Sequence, residues 1–418
     1  MDEEDRRWFL GVDWGSAEHW ARLTDGGGHQ LGQKRFVHSG EGLAQLADWV
    51  LSLSGAEPHE IWAAIEVPHG PVVESLMERG LRVFAINPKQ VDRFRDRFSP
   101  AGAKDDRRDT VVLSDSLRTD TKAFRELKPT PAQLIELREW SRMRDDLTTE
   151  RSRLANQLRE QLWRYYPQAL DLAQGDLERD WFIELLTLVP TPAAAKRLRK
   201  EPLARLIKRH RLRRIDADGA LKILRQTQIS SAPGAVEAAS AHVGLILPRL
   251  ALINKQLRAC ERRLDQLTKA FAQEQAAGQP SEQRDVAILR SSPGIGRVVL
   301  GTLLAEAWEP LQRRDYHALR CFAGTAPVTK ASGKSRIVRR RRAANTRLSN
   351  AVYHWARVAS QHDPASRAKY AALRARGQTH PRALRSVADR LIGVLCVMLQ
   401  NQTLFDPLRP RQRALSAS

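Results

Sequence analysis

The sequence predicts an α/β domain at the N-terminus followed by mostly helical structure, for three reasons. Residues 7–125 alternate between short apolar segments with strand periodicity and amphipathic helical segments. From about residue 130 the segments are long, charged and helical, with few breakers. The chain has 418 residues, enough for two or three domains that each bury a core.

The elements of the first domain are predicted in the order βββαβαβα. The strands are RWFLGVD, HWARLTD, QKRFVHS, IWAAIEV and RVFAINP, and the helices are EGLAQLADWVLSL, VVESLMERG and KQVDRFRDRF. Three antiparallel strands followed by strand–helix alternation predict a mixed sheet with helices on its faces. This is the order of an RNase H-like fold, an analogy at the level of fold alone.

The central region carries two helical stripes of apolar residues. The first comprises Leu147, Leu154, Leu158 and Leu162. The second has an unbroken 3–4 spacing through Leu250, Ile253, Leu257, Cys260, Leu264, Leu267 and Phe271. This spacing predicts a coiled coil or a long antiparallel helix pair, with an amphipathic core helix as the alternative. Between the stripes, residues 196–215 form a basic helical stretch, either a solvated face or one that follows phosphates.

Residues 273–285, rich in Gln and Gly, are predicted to be a linker. After them, AILRSSPGIGRVVLGTLLAEA predicts a helix, a tight glycine turn and a second helix, which resembles a helix–hairpin–helix. In that motif Gly294 and Gly296 let backbone N–H groups approach a phosphate, with Arg297 beside them.

Net charge points to nucleic acid as the partner. The chain has 69 Lys and Arg against 48 Asp and Glu, a formal charge of +21. The sequence has no run of about 18 apolar residues, the length that a membrane-spanning helix needs, so we expect no membrane partner. The acidic start argues against a secretory signal. The three cysteines are scattered, so we expect a reducing cytoplasm.

The C-terminal region concentrates this charge. Between Lys334 and Arg385 there are fourteen Lys and Arg and a single acidic residue, Asp363. Such a density, with Tyr353 and Trp355 interleaved, is typical of binding to nucleic-acid phosphates. The candidate contacts are Lys334, Arg336, Arg339, Arg340, Arg341, Arg342 and Arg347. Ser332 precedes this run in a polar turn; its hydroxyl is a possible nucleophile, although turn serines are more often structural.

Four carboxylates are candidate metal ligands. Asp13 ends the first strand and Glu66 ends the next strongly apolar strand, which is its neighbour in an RNase H-like sheet. Asp106 and Asp109, three residues apart at a helix start, face the same way. Gathered carboxylates repel one another unless cations neutralise them, and Mg²⁺ prefers oxygen ligands. Asp105 and Asp109 would also share a face, so Asp105 is an alternative to Asp106. Each acid alone could be a turn or helix-start residue.

The motifs GVDWGS, AIEVPHG, AKDDRRDT, PGIGRVVLGTLLAE and FAGTAPVTKASGKSRIVRRRRAANTRLSNAVYHWA, in this order, resemble the DEDD transposases of bacterial insertion sequences. That family joins an N-terminal RuvC-like domain to a C-terminal transposase domain that carries a serine. The resemblance covers nearly the whole chain. It departs at Asp105, where the family commonly has a small or uncharged residue.

The resemblance implies a DNA recombinase that needs Mg²⁺, with Mn²⁺ as a substitute. Asp13, Glu66, Asp106 and Asp109 match the acidic ligands, and Ser332 matches the serine that forms a covalent phosphoserine link to DNA. The implied partners are double-stranded donor and target DNA, a noncoding bridge RNA that pairs with both, and further copies of the chain, as a dimer and as a tetramer in the synaptic complex. The seam at 250–271 would suit such assembly.

The predicted domains are a RuvC-like catalytic domain (1–127), a helical coiled-coil region for dimerisation and nucleic-acid binding (128–280), a transposase domain (281–405) and a tail (406–418). The predicted function is an RNA-guided transposase. The alternatives are a RuvC-type junction endonuclease that uses water, a site-specific DNA invertase of the same family, and a non-catalytic nucleic-acid-binding protein. A sugar kinase or actin-like ATPase, suggested by GVDWGS and TDGGG, is disfavoured because no second Asp–Gly phosphate loop follows.

Overall fold

The computed structural model describes residues 7–98, 105–232, 234–274, 285–333 and 335–407. The chain divides into two compact units, Met1–Thr130 and Pro131–Ser418. Each unit has its own core.

The first unit contains a mixed six-stranded sheet with the order β3-β2-β1-β4-β5-β6. Strand β1 is antiparallel to β2 and parallel to β4, and β4 is parallel to β5. The strands are β1 (Trp8–Trp14), β2 (Glu18–Thr24), β3 (Gln30–Val37), β4 (Ile61–Ile65), β5 (Arg82–Ala85) and β6 (Arg125–Glu126). The topology is compatible with the RNase H-like fold that the element order predicts. The short antiparallel strand β6 was not predicted.

Helices cover both faces of this sheet. They are α1 (Gly40–Ser54), α2 (Pro71–Glu78), α3 (Pro88–Phe98) and α4 (Asp106–Thr119). Because side chains alternate along a strand, Leu10 and Val12 of β1 join the cluster formed with α1 and α2, whereas Phe9 joins the cluster formed with α3 and α4. Strand β4 is buried along its whole length, as expected for a central parallel strand covered on both faces.

The second unit is mostly helical, as predicted. Its helices are α5 (Ala132–Tyr165), α6 (Pro167–Ala173), α7 (Asp180–Leu188), α8 (Pro192–Arg197), α9 (Lys200–Arg209), α10 (Ala217–Leu224), α11 (Ala235–Glu274), α12 (Asp285–Ser291), α13 (Arg297–Gln312), α14 (Tyr316–Phe322), α15 (Thr346–His362), α16 (Pro364–Ala375) and α17 (His380–Asn401). Most of the predicted linker, residues 275–284, lies outside the described residues.

Helices α5 and α11 form a long antiparallel pair. Ion pairs join Arg263 to Glu136 near one end and Arg249 to Glu150 further along, so the two chains run in opposite directions. All seven seam residues of α11 are buried within the chain, and all but Cys260 belong to the two cores of this unit. The seam is therefore covered without a second copy, and its spacing does not identify a surface for assembly.

Helix α11 includes a stretch of mean hydropathy 1.4, long and apolar enough by composition to cross a membrane. This is weak evidence for a span, because the same helix supplies buried residues to the helical cores. The three cysteines are free, and Cys260 and Cys396 are buried.

A β-hairpin interrupts the C-terminal helices. Strands β7 (Val328–Ser332) and β8 (Ser335–Arg339) are antiparallel, with Ser332 paired to Ser335. The sequence predicted a polar turn here but not the strands.

Candidate active site and nucleic-acid surface

The first two carboxylates stand at the ends of neighbouring parallel strands. Val12 pairs with Ile65 across β1 and β4, so Asp13 of β1 and Glu66, the first residue after β4, each follow this last paired position. Both are half-buried. By strand alternation Asp13 lies on the same face as Gly11, and Glu66 on the same face as Ala64, which is the face that α3 and α4 cover.

Helix α4 crosses this face at unusually close range. A β-carbon on Gly11 would lie 2.2 Å from the carbonyl oxygen of Thr110 and 2.8 Å from the backbone nitrogen of Ser114. The guanidinium of Arg22 on β2 also donates to the Ser114 hydroxyl at 2.8 Å. Glycine in the GVD motif therefore allows the helix to rest directly on β1, two residues before Asp13.

The first turn of α4 separates the roles of its three acids. Asp105 is the N-cap, and its side chain accepts a hydrogen bond from the backbone N–H of Arg107 at 3.2 Å. Asp106 is exposed at the first helical position, whereas Asp109 is only 4 % exposed. The capping role of Asp105 supports Asp106 as the candidate ligand, which remains a prediction.

An arginine that sequence reasoning did not identify contacts the buried acid. Nε of Arg95 on α3 donates to Oδ1 of Asp109 at 2.8 Å, and Nη1 of Arg95 lies 2.6 Å from Oδ1 of Asp92. Burial alone would lower the pKa of Arg95, but the bonds to Asp109 and Asp92 raise it. Asp109 is thus neutralised by a cation of the protein itself.

These acids suit a divalent metal in kind, because carboxylate oxygens are the ligands that such ions prefer, and they lie at two strand ends and one helix start of the same face. They are not gathered around one point: within the described residues no group of three or more His, Cys, Asp or Glu could hold a metal ion. Metal binding would require Asp109 to exchange Arg95 for the metal.

A histidine pair lies beside the turn that follows Asp13. The Gly15 N–H donates to Nδ1 of His19 at 3.3 Å, and Nε2 of His19 lies 2.9 Å from Nδ1 of His38. Because Nδ1 of His19 accepts, Nε2 carries the proton and donates to His38. Burial, followed by the charge of His38, lowers the pKa of His19, so the ring is held neutral. The sequence offered only an isolated histidine in a strand as a signal.

Ser332 lies in the second unit, at the end of β7 beside the hairpin turn. Gly333 in that turn has φ +54°, a left-handed conformation that favours glycine. Ser332 is exposed, and among the described residues none forms a hydrogen bond with its hydroxyl. The apolar side chains of Ile337 and Val338 on β8 are 46 % and 57 % exposed. Neither face of the hairpin is buried.

Polar contacts fix the segments that lead into and out of the hairpin. On the entering side, Asp389 of α17 accepts from Nε and Nη2 of Arg320 at 2.9 and 2.8 Å and from the Thr325 hydroxyl at 2.9 Å. On the leaving side, the Asn345 side chain donates to Glu306 at 2.8 Å, and its backbone N–H donates to the Phe322 carbonyl at 2.9 Å. The base of the hairpin is therefore held while its end is exposed.

The predicted phosphate contacts fall into three groups. Exposed and unpaired among the described residues are Arg336, Arg339, Arg340 and Arg342. Arg341 is half-buried, with a buried Nε that lacks a hydrogen bond. Arg347 pairs with Asp146 at 2.8 Å, so it already has a partner within the chain. Lys334 lies outside the described residues. Burial and then the charges of Arg340 and Arg382 lower the pKa of Arg385, which sequence reasoning did not single out.

The glycine turn between α12 and α13 is braced by α15. A β-carbon on Gly294 would lie 2.9 Å from both the Trp355 carbonyl oxygen and the Ala359 nitrogen. The indole N–H of Trp355 also donates to the Pro293 carbonyl at 2.9 Å. Close packing against α15 therefore explains why position 294 is a glycine, Gly294. Gly296 is open, with no atom within 4 Å of its would-be β-carbon, and Arg297 beside it is exposed.

Two family models match the chain. Residues 10–167 match DEDD_Tnp_IS110, described as a transposase, and residues 286–371 match the transposase IS116/IS110/IS902 family. Together they include the carboxylates of the first unit and the hairpin of the second.

Proteins of similar sequence support the same family assignment. The chain is 35 % identical over 425 residues, covering 100 % of both chains, to the "Mini-circle putative transposase for IS117" of Streptomyces coelicolor. It is 55 % identical over 215 residues to "Putative transposase y4uE" of Sinorhizobium fredii, which spans 51 % of this chain and 60 % of that relative. It is 27 % identical over its whole length to an insertion element IS110 protein of Streptomyces coelicolor. The chain therefore belongs to the IS110 family of DEDD transposases, DNA-binding enzymes that recombine DNA for insertion sequences.

Proposed function

We propose that this transposase cuts and rejoins DNA with a divalent metal held by Asp13, Glu66, Asp106 and Asp109, and with Ser332 as the nucleophile. The observation that supports the metal site is the register of β1 and β4, in which Val12 pairs with Ile65 and the next residue of each chain segment, Asp13 or Glu66, follows on the face that α4 covers. A bound Mg²⁺ would supply charge stabilisation for phosphodiester chemistry.

In the proposed reaction, Oγ of Ser332 forms a bond to phosphorus while one bridging P–O bond of the DNA breaks. The hydroxyl proton ends on the departing DNA oxygen, and the serine is left as a phosphodiester to DNA. Rejoining reverses this exchange with another DNA hydroxyl. The exposure of Ser332 at a hairpin end supports the assignment, since a DNA backbone can reach it.

We further propose that a bridge RNA pairs with donor and target DNA, and that copies of the chain assemble as a dimer and then a tetramer in the bacterial cytoplasm at the nucleoid. The family resemblance is the basis for these statements. The charge of +21 supports binding of nucleic acid and does not distinguish RNA from DNA.

The decisive experiment combines purified protein, Mg²⁺, the noncoding RNA encoded beside the gene, and labelled donor and target DNA, with reactions stopped in detergent. We expect a covalent protein–DNA adduct that forms with wild type and not with Ser332→Ala. Ser335→Ala is the matched control, because Ser335 pairs with Ser332 across the hairpin, and its adduct should persist. Cleavage without an adduct in any protein would favour the water-using nuclease instead. Inversion of DNA between paired sites would indicate the invertase.

Substitutions by asparagine test the metal ligands. Asparagine caps a helix as well as aspartate does but lacks the charge, so Asp105→Asn should keep cleavage if Asp105 only caps α4. Asp13→Asn and Asp106→Asn should abolish it. Full cleavage by Asp13→Asn in Mg²⁺ would refute the proposed site.

A further inference from the structure

The helices α8 and α9 and the turn after them carry a dense cationic surface outside both predicted sites. Residues 196–214 contain ten Lys and Arg and one acidic residue, Glu201. Three of these cations pair with carboxylates of the chain, in the pairs Lys200–Asp218, Arg209–Glu184 and Arg214–Asp176. Seven are exposed and form no ion pair with any described residue: Lys196, Arg197, Arg199, Arg205, Lys208, Arg211 and Arg213.

Packing holds this surface toward solvent. Leu203 and Leu206 of α9 are buried in the core that includes α5, α7 and α11, so the opposite side of the helix is outward. Lys208, Arg211 and Arg213 line one shallow depression at the end of α9. Asp216, at its edge, is engaged as the N-cap of α10 and accepts from the Gly219 N–H at 2.8 Å.

Helix electrostatics explain only part of the charge. The helix dipole favours cations at a C-terminus, which accounts for Lys208 and Arg209 in the last turn of α9. It likewise accounts for Lys196 and Arg197 in the last turn of α8, but it disfavours cations at an N-terminus, where Arg199 is the N-cap of α9. The seven cations without an ion pair repel one another, and binding of an external polyanion would relieve this repulsion.

Arg211 occupies a backbone position that favours glycine. Its φ is +53°, and the bonds from Leu212 N–H to the Ile207 carbonyl and from Arg211 N–H to the Lys208 carbonyl, at 3.0 and 3.2 Å, close a Schellman motif. A side chain there costs roughly 1 kcal/mol relative to glycine. Gln174 and Gln402 also have positive φ, so this conformation alone does not indicate a ligand.

Arg314 at the end of α13 provides the comparison. It has φ +55° in the same type of turn, but its guanidinium holds both oxygens of Asp285 at 2.7 and 2.8 Å. The charge of Arg314 is therefore neutralised by an ion pair within the fold. That of Arg211 has none among the described residues and instead faces the depression with Lys208 and Arg213.

We propose that the surface formed by Lys208, Arg211 and Arg213, extended by Arg205 and Arg199, binds the phosphate backbone of a double helix. Arginine and lysine suit phosphate oxygens, and the carboxylate that also lines the depression, Asp216, is engaged as the N-cap of α10. Single-stranded nucleic acid is usually held by stacking on aromatic side chains, and residues 196–214 contain no Phe, Tyr or Trp. This site depends on neither the carboxylates nor Ser332.

The test measures the salt dependence of binding by the full chain to three probes: a 30-base-pair DNA duplex, the same duplex in RNA, and a 30-nucleotide thymidine strand. Each lost phosphate contact should lower the slope of log K against log salt by about 0.9. Arg211→Gly should therefore lower it by about 1, and the triple variant Lys208→Gln, Arg211→Gly, Arg213→Gln by about 3, for at least one duplex. The duplex affected, DNA or RNA, identifies the source of the backbone.

Two controls keep the result specific. Arg211→Gly relieves backbone strain, so it should unfold no earlier than wild type. Arg314→Gly, at the same kind of turn, should lose stability with its Asp285 pair and leave the duplex slopes unchanged. In addition, bound duplex should protect Lys208 from acetylation while leaving exposed Lys255 reactive. Unchanged slopes for both duplexes in the triple variant, or an equal loss for the single strand, would overturn the proposal.

Discussion

Replacing Gly11 by alanine should displace helix α4 and with it the predicted metal ligands Asp106 and Asp109. The added β-carbon would lie 2.2 Å from the Thr110 oxygen, where ordinary contact begins at 3.4 Å. The obstructing atoms belong to the backbone of α4, so no rotamer change relieves the clash and the helix must retreat by about 1.2 Å. Overpacking of this kind costs about 3 kcal/mol, the upper end of the usual range.

For a unit of this size, about 3 kcal/mol corresponds to a fall of roughly 10 °C in Tm. We expect calorimetry of the full chain to show this loss, and hydrogen exchange to show reduced protection of α4 amides. DNA cleavage should fall by about a hundredfold, since a displacement near 1 Å is enough for that effect.

Gly40→Ala is the matched control, because a β-carbon at Gly40, the first residue of α1, meets no atom within 4 Å. Its Tm and its α4 exchange should match wild type. If Gly11→Ala unfolds like wild type and its α4 amides keep their protection, the close docking of α4 on β1 does not determine the geometry of the site.

Three further outcomes follow from the charged contacts. Burial alone would raise the pKa of Glu306, but the hydrogen bonds from Arg142 and Asn345 lower it. The stabilisation by ionised Glu306 is therefore present above the ordinary carboxyl pKa and is lost as pH falls below about 4.5. Glu306→Gln should lower the free energy of unfolding by about 3 kcal/mol near pH 7 and flatten the acid limb of the stability curve. The lowered pKa of His19 means that the unfolded chain binds more protons below about pH 6.5, so thermal stability should fall from pH 8 to pH 5.5 in wild type and fall less steeply in His19→Asn, where the lowered pKa of His354 still acts. Arg95→Gln should raise Mn²⁺ affinity, measured by electron paramagnetic resonance, about tenfold, because it removes the cation that competes for the buried acid; equal affinities would show that Arg95 does not compete.

The sequence predicted those parts of the fold in which apolar residues recur at a regular spacing. The strands beside Asp13 and Glu66 contain buried runs, so their positions could be predicted to within one residue, and strand alternation predicts the face on which each acid lies. The seam of α11 was equally visible, but the same a/d spacing serves packing within a chain and between chains. Only the structure shows that α5 already covers it.

The hairpin and the Arg95 contact were missed because neither leaves a periodic signal. In β7 and β8 every residue after Val328 is exposed, so polar and apolar positions do not alternate with burial. Arg95 reaches Asp109 because α3 packs beside α4, across 14 positions of chain. A contact of this kind depends on tertiary geometry that a single sequence does not encode locally.

The two candidate halves of the chemistry differ in how the fold supports them. The acids rest on a buried sheet and a tightly docked helix, so their positions are set by packing. Ser332 stands on an isolated two-stranded hairpin, a structure that is marginally stable by itself, and only its base is fixed, through Asp389 and Asn345. We expect this exposed hairpin to gain order if DNA or another chain covers it, because such a contact would bury Ile337 and Val338 and neutralise the neighbouring arginines. If Ser332 is the nucleophile proposed above, it would then reach its working position only in the assembled complex, whereas the positions of the acids are set by packing in the free protein.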